Sequence, residues 1–188
     1  MALPDKPTQY PSPQLAEAVS RARRDPSAFR PIYDAYFRRV YHYCLRRVRR
    51  AQDAQDLTSV VFVRALAGLS SYRGGSFAAW LFAIAHNVVA NHIRDRRETV
   101  ALDAVEDVVS AHDDSLERIV DDEERIRLEH LIVRLDEDER ELLVLRITAG
   151  LTAREVGEIV GKSEGAVRVA IHRIVAKLRD AWNEESAR

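Results

Sequence analysis

Arg168, Val169, His172 and Arg173 have the types and the spacing to read a nucleic-acid groove. They fall on the side of a helix left open when Val167, Ile171, Ile174 and Leu178 form its buried stripe. An arginine there can pair through both arms of its guanidinium with the O6 and N7 of a guanine. Other chemistries find less support. His42 and Cys44 are two apart and do not share a helix face, His86 and His92 are six apart, and His112 and His130 stand alone, so no metal site and no cofactor is expected. Asp113-Asp114 sits in an acidic run whose ordinary role is a solvated surface, not general acid-base work. Gly74-Gly75 is too short for a phosphate loop and lacks the Lys-Ser/Thr that follows one. Nothing in the chain points to an enzyme.

The groove-reading residues need a rigid mount, and the residues before them spell one. Thr152-Ala153-Arg154-Glu155 is a capping box that starts a short helix with Val156, Ile159 and Val160 apolar. Gly157 is small where two helices of a helix-turn-helix pack closely, and Gly161 supplies the left-handed residue that ends the first of them. Ser163 caps the second, whose early residues face base edges when such a motif docks in a major groove. The alternative is an ordinary helical hairpin with a solvated basic face. The motif alone does not separate a repressor, an activator and a polymerase subunit.

In the rest of the 188 residues no strand-like alternation appears, and the periodic stretches are helical. Met1–Gln14 is rich in proline and is expected to be unstructured, and a short helix over Leu15–Arg24 ends before Pro26. Ser27 can cap a helix whose apolar positions run from Phe29 through Ile32, Tyr36, Val40 and Cys44 to Val48, with Pro31 tolerated in its first turn. Asp53 can cap the next, with Leu57, Val61, Phe62, Ala65, Leu66 and Leu69 apolar. Ser70–Gly75 is loop chemistry. Ser76 caps a third helix carrying Phe77, Trp80, Leu81, Ile84, Ala85, Val88 and Val89, which ends in the basic cluster Arg94, Arg96 and Arg97. Trp80, Tyr33, Tyr36, Phe37 and Tyr41 read as core aromatics; Tyr72, in the loop, could instead stack on a base. One further helix ends near Leu135, and Asp136 caps another that ends at Gly150.

Charge divides the chain. Residues 21–98 carry roughly +9, residues 99–124 roughly −9, and residues 125–188 about zero, although the net charge is −1. A basic unit, an acidic connector and a mixed unit imply an all-α protein of two small helical domains joined by a flexible acidic linker. The expected boundaries are a tail over 1–24, a first domain over 25–98, the linker over 99–122 and a helix-turn-helix domain over 123–184. The basic unit suits phosphate binding, although a solvated surface without a partner has the same charge. The single cysteine, Cys44, excludes a disulfide framework and fits the cytoplasm, and no signal peptide or membrane span is visible.

Two further stretches carry a resemblance. Asp53-Ala54-Gln55-Asp56-Leu57 followed by Val61–Leu66, and Phe77–Asn87 with its Trp80-Leu81 and Ile84-Ala85-His86-Asn87, resemble region 2 of the extracytoplasmic-function sigma factors of bacterial RNA polymerase. Leu151 to Arg179 is similar to their C-terminal promoter-reading region. The resemblance covers about residues 28–97 and 125–181, in the family's order and spacing.

What the resemblance implies is a set of roles. Asp53, Asp56 and Leu57 would dock on the clamp helices of the largest polymerase subunit, and the C-terminal domain on its flap. Tyr72 and Arg73 in the loop, with Asn87 and Asn91 after it, would receive an unstacked base of the −10 element, since an amide offers both donor and acceptor. Arg94, Arg96 and Arg97 would hold phosphates. Lys162, Ser163, Arg168, Val169, His172 and Arg173 would face the −35 element. An anti-sigma protein is a further implied partner. Three departures from the family pattern stand out: Ser59-Val60 replaces a usual Gln-Glu, Ala170 a usual basic residue, and Val169 a common Ser, leaving an apolar contact such as a thymine methyl.

Overall fold

The computed structural model describes residues 13–100 and 122–186, and every regular element in it is a helix. The first group is α1 (Pro13–Ala22), α2 (Arg30–Val48), α3 (Ala51–Gly68) and α4 (Phe77–Val100); the second is α5 (Asp122–Val133), α6 (Glu137–Ile147), α7 (Ala153–Val160) and α8 (Glu164–Ser186). Most of the acidic stretch assigned to the linker lies outside the described residues.

Helices α2, α3 and α4 pack against one another around Ile32, Val40, Cys44, Val61, Leu81 and Phe82. Aromatic rings fill the spaces between them: Tyr33 lies against Phe62 at 4.7 Å and Tyr36 against Phe77 at 5.5 Å between centroids. The expected core assignment of Tyr36 holds, with Tyr33, Phe37, Tyr41 and Trp80 packed half-buried around the core.

Two start signals fall differently from the sequence expectation. Ser27 does not cap α2. Asp25 instead accepts from the Ser27 amide and caps a single 3₁₀ turn, Pro26–Phe29, after which α2 begins with Pro31 in its first turn. Nor does Asp53 cap α3. The chain turns at Arg49, held left-handed at φ 59°, and α3 starts at Ala51, so Asp53 lies inside the first turn. A negative charge is still favourable there, next to unpaired backbone amides. The other caps form as the residues predict. Asp136 and Glu139 make a reciprocal box at the start of α6, and Ser76 Oγ accepts from the Ala79 amide at 3.2 Å.

The second group is centred on the α7–α8 pair, whose inner face is Val156, Val167, Ile171 and Ile174. Helix α5 lies along the far end of α8, where Arg127 stacks 4.5 Å over the Trp182 ring and pairs with Glu185. The two groups also touch, α6 against α2 and α7 against α4.

Candidate nucleic-acid interface

The turn between α7 and α8 has the geometry its residues require. The Thr152 hydroxyl accepts from the Glu155 amide at 3.2 Å, and the Glu155 carboxylate accepts from the Thr152 amide at 2.7 Å. Gly161 closes α7 at φ 69°, the left-handed region that favours glycine. A side chain at Gly157 would collide with the Lys162 carbonyl oxygen, so the close approach of the turn to α7 demands glycine there. Ser163 then caps α8, accepting from the Ala166 amide at 3.2 Å.

With Val167, Ile171 and Ile174 buried, Arg168, Val169, His172 and Arg173 stand exposed along one side of α8, and Val169 has half of its surface open. Lys162 and Ser163 lie exposed at the entry to the same helix. Arg168 is held by Glu164 one turn earlier, at 2.6 Å from Nη2, and Lys162 lies 3.6 Å from Asp138. These pairs are at the surface, where an ion pair contributes about 0–1 kcal/mol, so a phosphate or base edge can replace the carboxylate.

A second exposed stripe runs along α4. Asn87, Asn91 and Arg94 are four and three residues apart, share a face, and are all open to solvent. Arg73 is exposed in the preceding loop, whose sharp path rests on Gly74 at φ 98° and Gly75 at φ 89°. Arg96 takes a different direction. It pairs with Asp53 at 3.1 Å, and His92 approaches the same carboxylate at 3.5 Å, tying the end of α4 to the start of α3. The side chain of Arg97 lies outside the described residues.

Two implied roles meet a different geometry. Leu57 is 8% exposed and belongs to the α2–α3–α4 core, so it presents no apolar knob to a partner. The open apolar surface of α3 is instead Val63, with Val60 and Leu66 beside it. Tyr72 is likewise 8% exposed. Its ring packs on Phe77 and Trp80, and its hydroxyl donates to the Gly75 carbonyl at 2.7 Å, so it shapes the loop and offers no free platform for stacking. Asp56 is exposed as expected, whereas Asp53 is partly covered by its contacts to Arg96 and His92.

Sequence reasoning missed the polar group that joins the two helix groups. Glu141 of α6 is 5% exposed, accepts from the Tyr43 hydroxyl of α2 at 2.6 Å, lies 2.9 Å from His86 Nδ1 of α4 and pairs with Arg47 of α2. Burial pushes the Glu141 carboxyl up, but His86, Arg47 and Tyr43 together outweigh it and hold it below its ordinary value. Burial and the neighbouring carboxylate raise the Tyr43 hydroxyl well above the usual tyrosine range, so it stays a donor. Arg39 adds a second link, stacking between Tyr36 and Phe82 while donating to the Ala149 carbonyl. No local pattern announces these contacts, because their partners are 55 to 110 residues apart.

The consequence is that the two stripes are not independent. A cleft of about 640 Å³ lies between the Gly74-Gly75 loop with the start of α4 and the α7–α8 pair, with Gly74, Ser76 and Trp80 on one side and Thr152, Glu155 and Arg168 on the other. Among the described residues no His, Cys, Asp and Glu group is placed to hold a metal ion, and no helix is long and apolar enough to cross a membrane.

Comparison with known proteins agrees with this organisation. Residues 32–99 match Sigma-70 region 2 and residues 131–180 match Sigma-70 region 4. The chain is 40% identical over 149 residues to the ECF RNA polymerase sigma factor ShbA of Streptomyces griseus, covering 73% of this chain and 78% of that protein. It is 36% identical to the ECF RNA polymerase sigma factor BldN of Streptomyces coelicolor, across 89% of this chain but only 65% of BldN. In fold it resembles the sigma factor RpoE of Bartonella quintana, solved with the anti-sigma factor NepR, at a TM-score of 0.70 and 21% identity, covering 82% of this chain and 96% of that one. It also resembles CnrH, solved with the cytosolic domain of CnrY, at a TM-score of 0.67 and 22% identity over 89% of this chain and 96% of that one. With both sigma-70 regions present in order and relatives matched along most of its length, this chain belongs to the extracytoplasmic-function sigma factors, which direct RNA polymerase to promoters in transcription initiation.

Proposed function

We propose that this chain binds core RNA polymerase and touches one promoter at two places: α8 reads the −35 element, and the loop after α3 with α4 receives the melted −10 strand. The observation that carries the reading is the pair of exposed stripes, Arg168–Arg173 on a capped, glycine-tightened helix-turn-helix and Asn87–Asn91–Arg94 on a basic helix. Arginine in a major groove reads base edges, amides suit the mixed donor and acceptor edge of an unstacked base, and Arg94 meets phosphate. Four parts make up the chain in this reading: the tail over 1–24, the −10 domain over 25–98, the acidic linker over 99–122 and the −35 domain over 123–184.

On the polymerase side, Asp56 and the open apolar residues Val60 and Val63 of α3 form the docking surface for the largest-subunit clamp helices, in place of the buried Leu57. The C-terminal unit meets the flap. An anti-sigma protein as a holding partner is supported by relatives of this fold solved with such proteins. The absence of a membrane-crossing helix among the described residues is consistent with work in the cytoplasm.

Transcription reconstituted from core polymerase and the purified chain tests the proposal. Initiation should depend on the chain and on both promoter elements. Core enzyme that initiates no better with the chain than without it, on any promoter drawn from a randomised pool, overturns it.

A further inference from the structure

The loop that is proposed to receive an unstacked −10 base opens onto a cavity of about 280 Å³, and one wall of that cavity is α1. Its floor is apolar and aromatic: Val19, Tyr72 and Phe77. Gly74 and Gly75 line another side with backbone alone, and no atom lies within 4 Å of a side chain built on either, so the space beside them is open.

Hydrogen bonding decides which base such a cavity prefers, and the loop contributes few side chains to it. Tyr72 has committed its hydroxyl to the Gly75 carbonyl. Arg73 does not line the cavity. The remaining polar side chains on its walls are Ser20 of α1 and Arg23, in the turn that follows α1. Arg23 is exposed, forms no ion pair among the described residues, and lies near enough to Tyr72 for its charge to act on the phenol. Among the described residues the Ser20 hydroxyl oxygen meets Arg24 Nη2, at 3.5 Å, as an acceptor, which leaves its O–H to donate. Neither residue falls within the stretch matched to region 2, which starts at residue 32.

We infer that Arg23, assisted by Ser20, discriminates the base that this cavity holds. The inference rests on the promoter reading above. The occupant is one unstacked nucleobase of the promoter strand: its ring fills the cavity beside Val19 and the Gly74-Gly75 backbone without stacking on Tyr72, and its polar edge turns to the rim, where Ser20 and Arg23 stand. Arg23 offers donors only, in a fork, and Ser20 adds one more. That set suits an edge with two acceptors, as guanine presents through O6 and N7, and disfavours the adenine edge, where a donor would face the guanidinium.

Holoenzyme carrying the full chain is given promoters randomised across the −10 element, and initiation is counted for each sequence. The wild-type chain should show a preference for guanine over adenine at one −10 position. Arg23→Ala should flatten that preference by about 5- to 150-fold, the span of one good bidentate contact. Arg23→Lys keeps the charge and loses the fork, so it should retain overall activity and lose the discrimination. Preference at the −35 element and affinity for core polymerase should not change in either variant. A uniform fall across all sequences, restored by Lys, means Arg23 holds a phosphate and overturns the inference, as does unaltered −10 preference in Arg23→Ala. A wild-type holoenzyme with no −10 preference at all would instead overturn the promoter reading itself. Circular dichroism and melting of both variants should match the wild type, since Arg23 supports no packing contact that folding needs.

Discussion

Removing the Glu141 carboxylate should open the protein. In the closed arrangement the promoter-reading surfaces are pinned across one cleft, but the elements they address are about 25 base steps apart by name, on the order of 80 Å along B-form DNA at 3.4 Å per step. Both cannot be engaged until α6 leaves α2 and α4. Glu141 is where that separation is resisted: one buried carboxylate takes the Tyr43 hydroxyl, His86 and Arg47 at once. Taking one partner from a buried pair leaves the other charge without compensation, at a cost of about 3–5 kcal/mol. Here the stranded group is Arg47, itself 8% exposed, and Glu137 at 3.4 Å compensates it only in part. Opening lets Arg47 hydrate, so Glu141→Ala should shift the closed-to-open ratio by roughly 10²- to 10³-fold, while Glu141→Gln, which can still accept from Tyr43, should shift it less. Spin labels on Val63→Cys and Asn183→Cys, both exposed and one in each helix group, report the distance by pulsed dipolar spectroscopy. The wild type should give one narrow short distance and Glu141→Ala a broad longer distribution at unchanged helicity. A narrow short distance in Glu141→Ala would refute the argument that this carboxylate holds the units together. Acid supplies an independent arm. The folded Glu141 carboxyl lies below its ordinary value, so its stabilising contribution is complete above the usual carboxylate range and is lost as pH falls through the depressed value. The closed distance should therefore persist from neutral pH to about 5 and give way only below the ordinary carboxylate range.

Three other outcomes follow from the geometry. Gly157→Ala should lower stability of the C-terminal unit by about 1–3 kcal/mol, because the added methyl meets backbone that cannot move aside, whereas Gly161→Ala should cost about 1–2 kcal/mol through its left-handed φ alone; thermal melts of the two variants separate these causes. Arg173→Ala should weaken −35 discrimination by about 1–3 kcal/mol in a promoter competition with holoenzyme, with −10 preference unaltered. Cys44 should resist thiol reagents in the folded chain at neutral pH and react only on unfolding, since it is fully buried and burial pushes its thiol up to about 12.

Local rules carried far in this sequence. Helix-turn-helix geometry could be read from Thr152, Gly157, Gly161 and Ser163 because capping and left-handed turns depend on residues within four positions of one another. Exposure of Arg168, Val169, His172 and Arg173 followed from helical period once Val167 and Ile171 were taken as core. Period also put Leu57 on the apolar face of α3 with Val61 and Phe62, and α2 and α4 bury it there; it was the docking role implied by the resemblance that the packing did not fit, since the open apolar residue of α3 is Val63. Sequence reasoning left Tyr72 open between stacking and core, which the position of Phe77 and Trp80 decides. It read Asp53 as a cap, although a left-handed turn at Arg49 started the helix earlier and freed the carboxylate for Arg96 and His92. Composition and period by themselves determined the helices, their inner faces and the basic and mixed halves. Only the tertiary structure decided that the halves meet through Glu141, and that α1 walls the cavity beside Tyr72. Both depend on side chains far apart in the chain, and no repeat or spacing records a contact that exists only after the helices have packed.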